Sequence, residues 1–140
     1  MPGKLVLVTG GSGFLGSHCI VAALREGYQV RTPLRSLKRT DEVRQMLRNG
    51  GASEASVKSV GFSVADLNSD EGWAEACNGC DYVLHVASPF PPVTPKDPNE
   101  LIVPARDGTL RALKAAKAAR TVRRVVVTSS TAAIGMRSSA

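Results

Sequence analysis

Leu5-Val6-Leu7-Val8-Thr9-Gly10-Gly11-Ser12-Gly13-Phe14-Leu15-Gly16 is the stretch that decides the fold of this chain. Its first half is a short apolar run of the kind that forms a strand buried on both faces of a parallel sheet. Its second half sets glycines at 10, 13 and 16, which allow a tight turn, close approach of main chain to an anion, and close packing of the next element on the sheet. The small, apolar segment from Phe14 to Leu24 reads as a helix. A helix N-terminus presents unpaired backbone N–H groups and about half a positive charge, which suits a dinucleotide pyrophosphate. Gly10, Ser12, Gly13, Phe14, Leu15 and Gly16 are therefore the expected diphosphate cradle. The spacing is G-x-x-G-x-x-G rather than G-x-G-x-x-G, and glycines alone also fit a plain turn. The place directly after a strand and before a helix favours the nucleotide site.

The 140 residues fit one domain, 1–140, long enough to bury roughly two-thirds of its unfolded surface. No apolar run approaches the roughly 20 residues of a membrane-spanning helix. Met1 to Lys4 lead straight into the first strand, so no secretory signal is expected. Three cysteines, Cys19, Cys77 and Cys80, are too few for a disulfide framework and point to a reducing cytoplasm. The net charge of +6 falls in two groups, seven basic residues from Arg25 to Arg48 and eight from Arg106 to Arg137. With 4% aromatic residues there is little to stack bases, so these groups read as solvated faces that attract small anions rather than nucleic acid.

Strand and helix patterns alternate along the chain, the signature of an α/β domain. After a stop at Gly27, the second strand is expected over Tyr28–Pro33. A helix follows over Thr40–Arg48, with Val43, Met46 and Leu47 at helical spacing, ended by Asn49-Gly50-Gly51. Val57–Val64 reads as the third strand, Asp70–Cys77 as a short helix and Tyr82–Ala87 as a fully buried fourth strand. Ser88–Asn99, with five prolines, is a loop. A long helix runs to about Arg120, started or interrupted at Pro104, with Leu110, Leu113, Ala116 and Ala119 on its apolar side. Val125–Val127 is the fifth strand. The result is a doubly wound parallel sheet in the order 3-2-1-4-5 that stops after the fifth strand, with its ligand over the carboxyl ends of the strands. Thr9, Ala87, Ser88 and the stretches 31–35, 64–67 and 128–131 lie at those ends.

Three motifs, Val8-Thr9-Gly10-Gly11-Ser12-Gly13-Phe14-Leu15-Gly16, Leu84-His85-Val86-Ala87-Ser88-Pro89-Phe90 and Val125-Val126-Val127-Thr128-Ser129-Ser130-Thr131-Ala132-Ala133, together resemble the extended short-chain dehydrogenase/reductases. Within them the sequence is most similar to the dihydroflavonol reductase-like group, which includes fungal aldehyde and methylglyoxal reductases. The resemblance implies a Rossmann-like domain of an NADP(H)-dependent carbonyl reductase acting on a small-molecule carbonyl or alcohol. It implies that Asp66 accepts from the adenine amino group and Leu67 packs on the ring. Ala87 and Ser88 would pass the nicotinamide ribose and pyrophosphate, with Thr128 at the end of the fifth strand also in the cofactor set. Ser130 would be the catalytic serine that holds the carbonyl oxygen. The Tyr-x-x-x-Lys pair of such enzymes is missing: the two tyrosines, Tyr28 and Tyr82, are followed four residues on by Thr32 and Val86. The expectation is a cofactor-binding portion without turnover of its own. Related enzymes often pair through the long helix and the one after it, which leaves a homodimer open. Two alternatives are an NADP-sensing regulatory domain and a fragment of a nucleotide-sugar epimerase or dehydratase. Arg35 and Ser88-Pro89-Phe90 argue against the second.

The end of the second strand bears on the cofactor without the resemblance. A site that prefers NAD places an acid about 20 residues past the glycines to grip the ribose 2′-hydroxyl. Here Arg31, Arg35, Lys38 and Arg39 occupy the region, and Asp41 and Glu42 come only once the next helix has begun. Arg35, Lys38 and Arg39 are the expected contacts to a 2′-phosphate, which predicts NADP(H) over NAD(H). Cys77-Asn78-Gly79-Cys80 reads as a turn, since two thiols cannot complete a structural zinc site. His18, His85 and Trp73 read as packing residues.

Overall fold

A computed structural model describes residues 3–135, so Arg137 of the second basic group and the ends of the expected domain lie outside the described residues. Five strands, β1 Leu5–Thr9, β2 Gln29–Leu34, β3 Gly61–Val64, β4 Tyr82–His85 and β5 Arg124–Val127, form one sheet in the order β3-β2-β1-β4-β5. All four pairings are parallel, as the alternation of patterns predicts. The helices are α1 Phe14–Arg25, α2 Thr40–Asn49, α3 Glu54–Ser59, α4 Trp73–Cys77, α5 Asn99–Ala119 and α6 Thr131–Gly135, with a 3₁₀ turn at Leu37–Arg39.

The central strand explains its own composition. Val6 and Val8 pack with Ile20 and Val21 of α1 and with Val43 and Leu47 of α2. Leu7 points the other way, onto Ala76 and Cys77 of α4 and Ala116 of α5. Successive side chains of a strand face opposite sides, so a strand covered on both sides needs an unbroken apolar run. Burial in the second of these clusters pushes the Cys77 thiol up to about 11 and raises Cys80 as well, which keeps both protonated and inert at neutral pH.

Four elements differ from what the sequence predicts, two in where they start and two in which residues they bury. The expected third strand, Val57–Val64, begins as helix: Ser53 caps α3 by accepting from the Ser56 N–H at 3.2 Å, and only Gly61–Val64 pairs with β2. A side-chain cap and one inward residue, Val57, outweigh the β propensity of the run. The helix expected from Asp70 begins at Trp73, because Gly72 adopts φ +81° and cannot belong to it. In β4 only Val83 and His85 are buried, while Tyr82 and Leu84 are half-buried. The long helix passes through Pro104 and buries Gly108, Ala112 and Ala116, leaving Leu110 and Leu113 at 41% and 36% exposure. The side that meets the sheet is the one with the small residues, which let α5 sit close to α4 and to Leu67.

Among the described residues no helix is long and apolar enough to cross a membrane. β5 forms one edge of the sheet, with Val126 and Val127 partly open. Replacing Leu7, which is fully buried between β4 and α5, by Ala is expected to lower unfolding free energy by about 2–5 kcal/mol in a urea titration. A loss below about 1 kcal/mol would show that the sheet is not covered on that side.

Candidate functional site

β1 ends at Thr9 and the chain turns through Gly10, whose φ of +74° suits glycine. The Gly10 carbonyl accepts from the Gly13 N–H at 2.9 Å, and the Gly13 carbonyl accepts from Ser17 N–H at 3.0 Å to start α1. Gly13 is the N-cap, in extended conformation and without a side-chain cap, so the N–H groups of the first turn of α1 have no partner within the helix. A Cβ on Gly16 would run into the Gly10 carbonyl, and one on Gly11 would run into Thr32 Oγ1. One on Gly10 would stand 3.0 Å from the Ala87 nitrogen. The turn is thus pressed between α1, β2 and the segment after β4, and its bare main chain faces outward.

A cavity of about 760 Å³ opens over this turn. Its walls come from the carboxyl ends of four strands: the glycine turn, Pro33 to Arg35 with Arg39, Ala65 to Asn68, and Val86 to Pro92, with the start of α5 closing one side. That is the topological switch point of the sheet, where the chain leaves β1 toward β2 on one side and β4 lies on the other. Of the residues expected there, Gly10, Ser12, Gly13, Leu15, Gly16, Arg35, Arg39, Asp66, Leu67, Ala87 and Ser88 line the cavity. Phe14, Lys38, Thr128 and Ser130 do not. The Phe14 ring is 81% exposed and lies edge-on to His18, so only its main chain belongs to the cradle. Lys38 is exposed on the 3₁₀ turn. Thr128 donates through Oγ1 and N to the His85 carbonyl, and the exposed Ser130 accepts through Oγ from the Ala132 N–H at 3.2 Å.

The basic quartet divides. Arg31 turns away and donates through Nη1 to the Glu75, Ala76 and Asn78 carbonyls, capping the end of α4. Arg39 is held by Glu42. Arg35 is exposed, lines the cavity, and has no hydrogen-bond partner among the described residues. Asp66 spends one carboxylate oxygen on the Asn68 N–H at 2.9 Å, and its carbonyl accepts from Trp73 Nε1 at 3.0 Å. Leu67 is gripped by Arg111, whose Nη1 donates to its carbonyl at 2.8 Å, and by Gly108, where a Cβ would come within 3.0 Å of the Leu67 side chain. Arg111, Gly108 and Trp73 position this wall, and the sequence reading did not assign them to it. The signal was a glycine within an alanine-rich helix, which usually marks a close packing contact.

Thr9, at the carboxyl end of β1, also lines the cavity. Its Oγ1 accepts from the Val86 and Ala87 N–H groups, both at 3.0 Å, and stands 2.9 Å from His85 Nδ1. With both lone pairs taken, its one proton goes to Nδ1, which sets the His85 proton on Nε2. His85 Nε2 is buried without a partner among the described residues, with the Trp73 ring edge-on nearby. Burial holds the His85 pKa below the ordinary imidazole value.

Residues 6–139 match the family model described as the NAD dependent epimerase/dehydratase family. The chain is 37% identical over 131 residues to dihydroflavonol 4-reductase of Hordeum vulgare, covering 94% of this chain and 36% of that protein. It resembles the crystal structure of vestitone reductase from Medicago sativa at TM-score 0.67 and 32% identity, over 89% of this chain and 36% of that one. It resembles Gre2 of Candida albicans in complex with NADPH at TM-score 0.74 and 28% identity, over 93% of this chain and 38% of that one. The chain thus spans a little over a third of the length of the proteins it matches.

Two outcomes follow from the site. Gly16→Ala is expected to displace α1 from the turn and lower the melting temperature by several degrees, whereas the same change at Gly27, which meets nothing within 4 Å, leaves the turn intact at the cost of its positive φ alone. Because folding depresses the His85 pKa, its contribution is complete above the unfolded value near 6.5 and is lost as pH falls below it toward the folded value. Melting temperature should therefore drop on acidification below about pH 6.5, and the drop should shrink in His85→Gln. An identical profile in the variant would show that another group titrates there.

Proposed function

The chain belongs to the NAD dependent epimerase/dehydratase family, and from that membership we propose that it binds NADP(H) in the cavity over β1 and β4 as the coenzyme-holding portion of a carbonyl reductase. The observation that carries this reading is a cradle with no room for a Cβ at Gly11 or Gly16 and with a tight approach to Ala87 at Gly10, beside a guanidinium, Arg35, that is uncommitted among the described residues. The N–H groups of the first turn of α1 hold the diphosphate. Arg35 takes the 2′-phosphate, supported by Arg39 and, from the rim, Lys38. The free oxygen of Asp66 accepts from the adenine amino group and Leu67 covers the ring. Ala87, held against Gly10, and Ser88 are small and leave space for the nicotinamide ribose, and Thr128 fixes the end of β5 by bonding the His85 carbonyl.

The coenzyme supplies hydride, and the chain's own residues bind, orient and exclude water. Ser130, at the end of β5, is the donor proposed for the carbonyl oxygen that gains negative charge. The proton itself needs another group. Tyr28 and Tyr82 form an edge-on pair, 6.1 Å between centroids, at the amino ends of β2 and β4, away from the cavity. We therefore expect the 140-residue chain to hold coenzyme without reducing a simple aldehyde. The substrate class is a small carbonyl or alcohol, in keeping with a relative named as a dihydroflavonol 4-reductase. A reducing cytoplasm suits a chain whose Cys77 and Cys80 are buried thiols, and the outer side of α5, with Leu110 and Leu113 open, is the surface through which two copies would pair. The distant tyrosines also favour a second reading, a sensor of NADP(H) level with no catalytic role.

Arg35→Ala is expected to weaken NADP+ about 10- to 150-fold, as for loss of one charge-assisted contact, while NAD+ affinity changes by less than about threefold. Titration calorimetry on both coenzymes decides it, and unchanged NADP+ affinity would reject the assignment.

A further inference from the structure

Glu42 stands beside the arginines of the site, where a tally of charges sets it against any phosphate. Its geometry gives it another role. Arg39 donates through Nε and Nη2 to the two Glu42 carboxylate oxygens, each at 2.8 Å, and through Nη1 to Ser12 Oγ at 3.3 Å. A guanidinium has five N–H groups in one plane. The forked pair with Glu42 uses two of them, so the edge that reaches Ser12 is left for an oxyanion. Both Arg39 and Ser12 line the cavity. The neighbouring acid behaves differently: the Asp41 side chain is 97% exposed and, among the described residues, meets only Arg44, at 3.5 Å.

We propose that Glu42 is a positioning residue for the coenzyme's 2′-phosphate, bracing Arg39 by one edge so that its other edge stands at the rim of the glycine turn. The proposal rests on the NADP(H) reading above. A long side chain loses rotamer freedom when it binds, and one already held by a fork has lost that freedom beforehand. Ser12 completes the brace from the turn, so Arg39 ties the start of α2 to the cradle. The carboxyl of Glu42 is held below its usual range by those same hydrogen bonds, so the brace is charged throughout the neutral range.

Charge counting and bracing predict opposite signs. Removing a negative charge beside a phosphate site strengthens attraction, whereas removing a brace weakens it. Dissociation constants for NADP+ and NAD+ are measured by calorimetry on the full chain and on Glu42→Ala, Glu42→Gln, Arg39→Ala and the Glu42→Ala/Arg39→Ala pair, with melting curves as the check on folding. The expected result is NADP+ weakened about two- to fivefold by Glu42→Ala, as for a half-exposed ion pair, with NAD+ within about 1.5-fold. Glu42→Gln, which keeps one acceptor for Arg39, falls between. In the Arg39→Ala background the Glu42 change has no further effect. Tighter NADP+ binding, equal losses for both coenzymes, or a full loss persisting without Arg39 would each overturn the brace. If Arg35→Ala weakens NADP+ and Glu42→Ala does not, the brace alone fails; if neither does, the NADP(H) reading fails with it.

Discussion

The approach of α1 to the Gly10 carbonyl at Gly16, which leaves no room for a Cβ there, is the constraint on which the carboxyl edge of the sheet depends. Any side chain at position 16 would lift α1 off the end of β1, and with it the row of N–H groups that its first turn presents. Similar closeness recurs at Gly11 against Thr32 of β2, and a looser but still tight approach holds Gly10 against Ala87. Three neighbouring strands are therefore drawn to one turn by atoms that are missing. Local main-chain freedom matters less here than space, since Gly11 and Gly16 do not adopt positive φ.

A buried polar network then fixes what faces the turn. Thr9 saturates its hydroxyl on two backbone N–H groups and on His85, so the chain after β4 leaves the sheet in one direction, past Gly10. Trp73, Arg111 and Gly108 perform the corresponding task for Asp66 and Leu67 on the other side. The unpaired Nε2 of His85 is a destabilising feature in an otherwise satisfied network. Its location between the core and the cavity fits the tendency of strained or unsatisfied groups to gather near sites.

The strand order, the glycine turn and the position of the cavity were legible in the sequence because each rests on local pattern: an apolar run, glycine spacing, alternation of periods. Details that depend on which neighbour a side chain meets were not. Arg31 and Arg35 stand four residues apart in the same basic segment, yet one caps α4 and the other faces the cavity, a division set by the opposite sides of β2 and its following loop. Val57 has β propensity and folds as helix because Ser53 caps it. Leu110 and Leu113 read as the inner side of α5, and the alanines and Gly108 took that side because the gap to Leu67 admits nothing larger. Glu42 appeared only as an acid in the wrong place for NAD, since a fork to Arg39 cannot be seen from spacing alone.

Cys77 and Cys80 are sealed in the second apolar cluster with raised pKa, whereas Cys19 on α1 is half-open. Thiol-directed dyes should accordingly react first on one helix, three residues and so less than one turn beyond Gly16. That chemistry offers a single-site optical reporter of movement at the helix start without introducing or deleting a residue.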